Sequence, residues 1–204
     1  MTLILQMNFL AHAYLSFNEP EILTGNIISD FVKGKKKYDY PAGIQLGIQL
    51  HRLIDNFTDV HAATSRAKTF FRPQYRLYSG AFVDVVYDHF LACDTEQYLI
   101  YGGLERFSLQ VFDLLEKDAR WFPPRFQIMF PHMKTHNWLY NYRQKEGIQK
   151  SFAGMAYRAA YLNESDIAFQ IFNEHYDDFE KCYNEFFPEI KRFAIQSLSN
   201  LMAG

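Results

Sequence analysis

Two short segments of the chain carry acidic side chains and histidines at helical spacing. They are His51, Asp55 and Asp59 in the first segment, and Asp84, Asp88 and His89 in the second. Because an α-helix turns about 100° per residue, side chains four positions apart lie on the same face. The intervening residues are largely apolar, and a carboxylate is costly to bury on such a helix unless its charge is compensated. A divalent metal ion is the obvious candidate, since imidazole and carboxylate together suit manganese, iron, zinc or magnesium.

The second segment gives the stronger indication of chemistry. Tyr87 and Phe90 flank the Asp88-His89 pair, and the nearby Val83, Val85 and Val86 leave these ionisable groups little solvated surface to occupy. A structural helix rarely buries three such groups without a partner, so the segment favours a metal or catalytic role. The stripe of His51, Asp55 and Asp59 taken alone fits an exposed face of an amphipathic helix equally well.

Polar residues upstream are candidates for the same site. Asn26, Asp30 and Lys33 share one helical stripe, which an ordinary solvated face ending at Gly34 would also explain. His12 could add a metal ligand from the first helix or be a core histidine. Arg52 lies off the His51 stripe and could contact a phosphate or extend into solvent.

Lysines are concentrated at one place in the chain. Lys33, Lys35, Lys36 and Lys37 follow Asp30 within a few residues. The run is either a solvated loop or a docking point for an acidic protein or a phosphate, and its position after Asp30 favours docking.

The apolar pattern that must position these residues is helical nearly throughout. Helices are expected over 7–17, over 20–33, after Pro41, after the break at Ser79-Gly80, and over 95–118, 133–145, 148–161 and 164–187. Pro123-Pro124 and Pro188 are expected to interrupt the helices. No alternating strand, repeat or linker divides the chain, so the sequence predicts one all-α domain over residues 1–204.

Bulk properties exclude several classes of protein. With 49% hydrophobic residues the chain is too apolar to be disordered, and a net charge of −2 gives no case for nucleic-acid binding. Cys93 and Cys182 match no metal motif, which indicates reduced thiols. Residues 1–17 lack the basic start of a signal sequence, and no run is long enough to span a bilayer. These features predict a soluble, cytoplasmic protein without a membrane partner.

Together the motifs resemble those of the acyl carrier protein phosphodiesterase family. The matching segments are Met7–His12, Gly25-Asn26, Asp30–Gly34, His51–Asp55, Thr58-Asp59, Asp84, Asp88–Leu91, Pro123–Phe126, Trp138-Leu139 and Gly154–Ala156. The likeness begins at Met7 and extends almost to Pro188. Residues 1–6 are therefore expected to be an N-terminal extension or the result of an upstream start.

The resemblance implies a fold and an activity. The family is similar to the helical HD phosphohydrolases, whose metal site uses His and Asp from several helices, although the adjacent pair here, Asp88-His89, has the reverse order. The expected enzyme is a manganese-dependent hydrolase that releases 4′-phosphopantetheine from the serine of holo-acyl carrier protein and leaves apo-carrier. Mg²⁺, Fe²⁺ or another divalent ion could replace Mn²⁺.

Each candidate residue can be given an expected role. The expected metal ligands are Asp30, His51, Asp88 and His89, with His12 as a further candidate. The expected catalytic carboxylates are Asp55, Asp59 and Asp84, of which Asp55 or Asp59 could orient a water molecule as general base. The expected substrate-binding residues are Asn26, Lys33, Arg52, Lys35, Lys36 and Lys37, the lysine run facing an acidic carrier protein.

Two other functions fit the same residues. A metal phosphohydrolase for a small nucleotide or phosphoester would have the same site but no need of the lysine run. A non-enzymatic helical module could bind an acidic partner and use the Asp and His residues as buried structural networks. Metal content distinguishes that module from both enzymes.

Overall fold

A computed structural model describes residues 8–158 and 165–203, and in these ranges the chain is helical without a strand. The all-α prediction is confirmed. The helices are α1 Phe9–Tyr14, α2 Pro20–Ile28, α3 Ala42–Val60, α4 Ala62–Tyr75, α5 Ser79–Cys93, α6 Leu104–Lys117, α7 Pro124–Thr135, α8 Trp138–Asn141, α9 Lys145–Arg158, α10 Ser165–Glu174 and α11 Tyr176–Ala203. The expected extension over residues 1–6 and the last residues of the helix predicted over 148–161 lie outside the described residues.

Several predicted helices are shorter or divided, and each difference has a local cause. The helix predicted over 20–33 ends at Ile28 and continues as a 3₁₀ turn, Ser29–Phe31. The helix predicted over 95–118 is a 3₁₀ segment, Thr95–Tyr101, followed by α6. Gly102 and Gly103 separate the two parts, and their positive φ angles of 76° and 111° interrupt a right-handed helix.

The C-terminal half differs more from the prediction. A helix over 133–145 is wrong, because α7 ends at Thr135 and the left-handed Asn137 starts the short helix α8. The helix predicted over 164–187 is two helices, α10 and α11. Pro188 lies inside α11 rather than at its end, and the helix continues because its buried face packs against α3 and α4.

An aromatic core joins the helices that lie far apart in sequence. Phe71 of α4 stacks on Phe82 of α5 and on Phe179 of α11, with ring centroids 5.3 and 5.1 Å apart, and Phe152 of α9 meets Phe82 at 5.1 Å. Contacts of this kind stabilise beyond the area they bury. None of the helices in the described part of the chain is both long and apolar enough to cross a membrane.

Helices α2 and α3 approach each other closely enough for their backbones to touch. The contact is between Gly25 and Gly47. A methyl group added at Gly25 would overlap the carbonyl oxygen of Ile44, and one added at Gly47 would overlap that of Ile22. Only glycine permits this approach, and it brings the backbone of Asn26 against the helix that carries the His51 stripe.

We predict that Gly47→Ala destabilises the protein. The added methyl group meets backbone rather than a flexible side chain, so the helices must separate, at a cost of about 1–3 kcal/mol in the free energy of unfolding. Gly80→Ala is the matched control, because its methyl group meets only the end of Lys68 and alanine favours a helix by about 1 kcal/mol. Urea unfolding measures both, and equal stability of the two variants would contradict close helix contact.

Candidate functional site

Two buried histidines from different helices stack on each other. The rings of His12 on α1 and His51 on α3 have centroids 3.9 Å apart and planes inclined by 17°. Only 3% and 4% of their side-chain surfaces are exposed. Two imidazoles in such contact would repel if both were charged, so their arrangement indicates a shared partner.

Asn26 of α2 orients both rings. Its backbone carbonyl accepts a hydrogen bond from Nδ1 of His51, and its side-chain oxygen accepts one from Nδ1 of His12, each at 2.7 Å. The amide nitrogen of Asn26 donates to the His12 carbonyl and to Ser16 Oγ, both at 3.0 Å, which sets the direction of the amide. Since both Nδ1 atoms donate, the Nε2 atom of a neutral ring is left as a ligand.

The two Nε2 atoms face carboxylates. His12 Nε2 lies 3.3 Å from Asp55 Oδ1, and His51 Nε2 lies 3.1 Å from Asp55 Oδ2 and 3.3 Å from Asp30 Oδ1. None of these contacts has hydrogen-bond geometry, so both nitrogens are buried without a hydrogen-bond partner. Such atoms are costly unless a ligand binds them.

The spacing of these atoms fits a single divalent ion. Ligand atoms bound at about 2.1 Å lie about 3.0–3.4 Å apart when the angles at the ion are near 90–109°. His12, His51 and Asp55 form the one group of at least three candidate ligands that the described residues bring within 4.8 Å of one another. Asp30 joins them through His51. We refer to His12, Asp30, His51 and Asp55 as the His-Asp cluster.

The cluster is open on its carboxylate side. Side-chain exposure is 20% for both Asp30 and Asp55, whereas the imidazoles are enclosed. A water molecule or an anionic group of a substrate therefore has access from the side on which Asp30 and Asp55 lie.

The charges within the cluster are unequal. Burial alone would lower the pKa of His51, but the carboxylates of Asp30 and Asp55 outweigh it and raise the pKa to about 10. Burial, together with the charge of His51, lowers the pKa of His12. Burial opposes ionisation of Asp55, but the close contacts with both histidines and their attraction hold its pKa below the usual value. The metal-free cluster thus carries a proton on His51 while His12 is neutral.

Of the other carboxylates predicted to be catalytic, Asp84 lies near the cluster and Asp59 has a cation as its partner. Asp84 is buried, and no described residue forms a hydrogen bond with its carboxyl group. Burial and the nearby charges of Asp55 and Asp59 raise the pKa of Asp84 well above its usual value. Asp59 is exposed and pairs with Lys68 at 2.8 Å. Catalytic roles for these carboxylates stay predictions.

Asp88 has a different role from the one predicted. Its two carboxylate oxygens accept hydrogen bonds from the backbone N–H groups of Leu10 and Ala11, at 2.9 and 2.8 Å. These groups belong to the first turn of α1, where a helix lacks internal acceptors and favours negative charge. Asp88 thus holds the start of the helix that carries His12, and the geometry does not support it as a metal ligand.

His89 is likewise satisfied away from the cluster. Its Nδ1 donates to the Tyr142 carbonyl at 2.8 Å, and its Nε2 accepts from the Tyr176 hydroxyl at 2.9 Å. Twelve of the 15 residues of α5 are buried, so consecutive side chains, about 100° apart, meet different neighbours. The expectation that Asp88 and His89 bind one ion together is therefore corrected.

The residues expected to bind substrate are divided in the same way. Asn26 is fully buried and positions the histidines. The expectation that its side chain contacts the substrate directly is therefore corrected. Lys33, Lys35 and Lys36 are exposed in or next to the 3₁₀ segment Gly34–Asp39, close in sequence to Asp30. Lys37 Nζ lies 4.9 Å from the ring centroid of Tyr38. Arg52 is half-buried, with a guanidinium nitrogen 3.5 Å from the Val32 carbonyl. Substrate binding by these cations stays a prediction.

Sequence reasoning missed two features of this region. The orienting role of Asn26 has no signal in a single sequence, because it uses a backbone carbonyl as well as the side chain. A second group of cations, Lys68, Arg72 and Arg76, does have a signal. Their spacing of four residues places them along one side of α4 and its end.

The chain is similar to proteins of one family along most of its length. The sequence pattern of the acyl carrier protein phosphodiesterase family matches residues 7–190. A protein named acyl carrier protein phosphodiesterase from Klebsiella pneumoniae subsp. pneumoniae is 36% identical over 192 residues, covering 92% of this chain and 97% of its own length. Proteins of the same name from Photorhabdus laumondii subsp. laumondii and Escherichia coli O45:K1 are 31% and 32% identical over 89% and 90% of this chain, and 92% and 95% of their own lengths.

No solved structure matches the chain significantly. The likeness to the HD phosphohydrolase fold therefore stays a prediction.

We predict that the stability of the metal-free protein depends on pH through His51. A raised pKa means that this group stabilises the folded state fully below about pH 6.5 and loses that contribution as the pH rises towards about 10. The free energy of unfolding should therefore fall over this range in the wild type relative to His51→Gln. Urea unfolding of both proteins in the presence of a chelator measures the difference. A difference that does not change with pH would contradict a protonated His51.

Proposed function

The chain belongs to the acyl carrier protein phosphodiesterase family, and from this premise we propose that it is a metal-dependent hydrolase that releases 4′-phosphopantetheine from holo-acyl carrier protein. The products are apo-carrier, with a free serine hydroxyl, and 4′-phosphopantetheine. The observation that carries the proposal is the His-Asp cluster, in which two unpartnered imidazole nitrogens face two carboxylates.

The cluster suits a divalent ion of intermediate softness. Two imidazoles and two carboxylates fit Mn²⁺, Fe²⁺ or Zn²⁺ better than Mg²⁺, which prefers oxygen ligands alone. His12, His51 and Asp55 would hold the ion, with Asp30 as a fourth ligand. When bound, the ion polarises the phosphoryl oxygen and makes water a stronger nucleophile. Asn26 keeps both Nε2 atoms directed at this position through its two hydrogen bonds.

Among the other carboxylates, Asp84 is the one suited to proton transfer. Asp84 is buried beside the cluster, and burial with the nearby charges of Asp55 and Asp59 raises its pKa, which favours the protonated carboxyl group. A protonated carboxyl group can give its proton to the serine oxygen as the phosphodiester breaks. Asp59 is exposed and paired with Lys68, so it neutralises that cation and takes no part in the proton transfer. Asp55 acts as a ligand rather than as general base.

The lysine run provides a second part of the proposal. Lys33, Lys35 and Lys36 are exposed and follow Asp30 within six residues. Cations beside the open side of the cluster attract an acidic carrier protein, and they act mainly on the rate of encounter.

We predict that the protein converts holo-carrier to apo-carrier when Mn²⁺ is supplied. The mass of the intact carrier should fall by one phosphopantetheine group, and a chelator should stop the reaction because the cluster then lacks its ion. Mass spectrometry of the carrier measures the conversion, and a reaction with boiled enzyme is the control. Absence of apo-carrier with each of Mn²⁺, Fe²⁺, Zn²⁺ and Mg²⁺ would refute the proposed function.

We predict opposite behaviour for two conservative substitutions. Asp55→Asn should lower activity by about 100-fold or more and weaken metal binding, since it removes a ligand and leaves the fold intact. Asp88→Asn should lower stability by about 1–2 kcal/mol, because it weakens the hold on the start of α1, while metal binding by the folded protein persists. Calorimetric Mn²⁺ titration and urea unfolding of each variant test this. If only Asp88→Asn loses metal binding, Asp88 rather than Asp55 is the metal ligand, and the proposed ligand set is contradicted.

A further inference from the structure

A groove of about 650 Å³ lies between the end of α4 and the start of α5. Its lining includes two acidic residues, Asp59 and Asp84, and three cations, Lys68, Arg72 and Arg76. Asp84 is 6% exposed and has no hydrogen bond from a described residue. Asp59 follows Asp55 by four residues on α3, so the groove begins about one helical turn from the His-Asp cluster.

The cations of the groove are only partly neutralised within the described residues. Lys68 pairs with Asp59 at 2.8 Å. Arg72 and Arg76 are exposed, and no described residue forms an ion pair or a hydrogen bond with either guanidinium group. Lys68 and Arg72 are four residues apart on α4, about 6 Å along the helix axis, and Arg76 follows directly after the helix ends at Tyr75. Cations distributed along a groove in this way can each meet a different carboxylate of a protein surface.

An apolar residue stands at the same rim. Leu77 directly follows Arg76 and is 98% exposed. Arg76 has a φ of 47°, a conformation that costs free energy in a residue other than glycine and that recurs at functional sites. Exposed arginines together with an exposed apolar anchor are typical of protein interfaces rather than of sites for small anions. We refer to Arg72, Arg76 and Leu77 as the groove rim.

We propose that the groove rim docks the acidic carrier protein, an inference that rests on the proposed function. The scissile phosphodiester is attached directly to a serine side chain, only a few bonds from the carrier backbone. The docking surface must therefore adjoin the His-Asp cluster, as the groove rim does through Asp84. Arg72 and Arg76 contact carboxylates of the carrier, and Leu77 packs against an apolar side chain between them.

The test compares two substrates in the full-length protein. Arg72→Glu with Arg76→Glu should lower kcat/KM for holo-carrier by about tenfold or more at low ionic strength, mainly through KM, and the loss should shrink with salt. Hydrolysis of a small chromogenic phosphodiester should change by less than about twofold, because these exposed charges lie outside the cluster. Circular dichroism and urea unfolding confirm that the variant is folded.

A matched control separates docking from net charge. Arg106→Glu with Arg192→Glu makes the same change in charge at two exposed arginines that do not line the groove. Use of holo-carrier by this control should stay within about twofold of the wild type. A loss equal to that of the groove-rim variant would overturn the inference, because long-range charge would then be sufficient.

A second variant removes the apolar contact without changing charge. Leu77 is almost fully exposed, so Leu77→Ser should leave the free energy of unfolding unchanged. Use of holo-carrier should fall by about tenfold, the effect of losing one buried leucine at an interface. Unchanged use of holo-carrier by this variant and by the double arginine variant overturns the inference.

The remaining outcomes distinguish docking from the reaction itself. Equal losses on both substrates overturn docking and make the groove a subsite for the phosphate. If the wild type does not hydrolyse holo-carrier, the proposed function fails, and docking is judged by fluorescence anisotropy of labelled apo-carrier. Binding that the arginine substitutions abolish supports docking, whereas absent or unchanged binding overturns it. The double variant Lys35→Glu with Lys36→Glu is measured in parallel. Docking at the groove rim is supported if this variant loses less carrier binding than the arginine variant, and it is overturned if only the lysine variant loses binding.

Discussion

The hydrogen bonds from two histidine rings to Asn26 determine what the candidate site can do. One residue accepts the Nδ1 protons of both His12 and His51, so both Nε2 atoms must face the same side. That arrangement depends on backbone contact between Gly25 and Gly47, which brings the Asn26 carbonyl to the helix of His51. The site is therefore built from main-chain geometry as much as from side chains, and small changes in helix packing reach it directly.

The neighbours of each aspartate near the site determine whether its carboxyl group is charged or neutral. Asp55 faces two histidines and is held ionised, whereas Asp84 has no hydrogen-bonding partner among the described residues and favours its neutral form. Burial also raises the pKa of Asp88, and two backbone N–H groups act against that rise. The proposed metal ligand, the proposed proton donor and the helix anchor are thus all aspartates, distinguished by their surroundings. The division places neutral and charged carboxyl groups side by side, as acid–base chemistry requires.

Support for the site comes from elements that carry none of its ligands. Helix α5 contributes Asp88, whose carboxylate holds the first turn of α1 and with it His12. The aromatic contacts of Phe71, Phe82 and Phe179 keep α5 against α4 and α11. The same packing sets the distance between α4 and α5, and hence the groove that leads to Asp84. The scaffold of the site and the groove are therefore consequences of one core.

The sequence by itself determined the helical class, the family and the pairing of His51 with Asp55, because these depend on local periodicity or on motifs read along the chain. Only the tertiary structure decided that His12 joins the cluster and that Asp88 and His89 bind elsewhere. Asn26 and His51 are 25 residues apart, and Asp88 and Leu10 are 78 apart. Periodicity determines which face of a helix carries a side chain, but the partner of that face is set by how distant helices pack together.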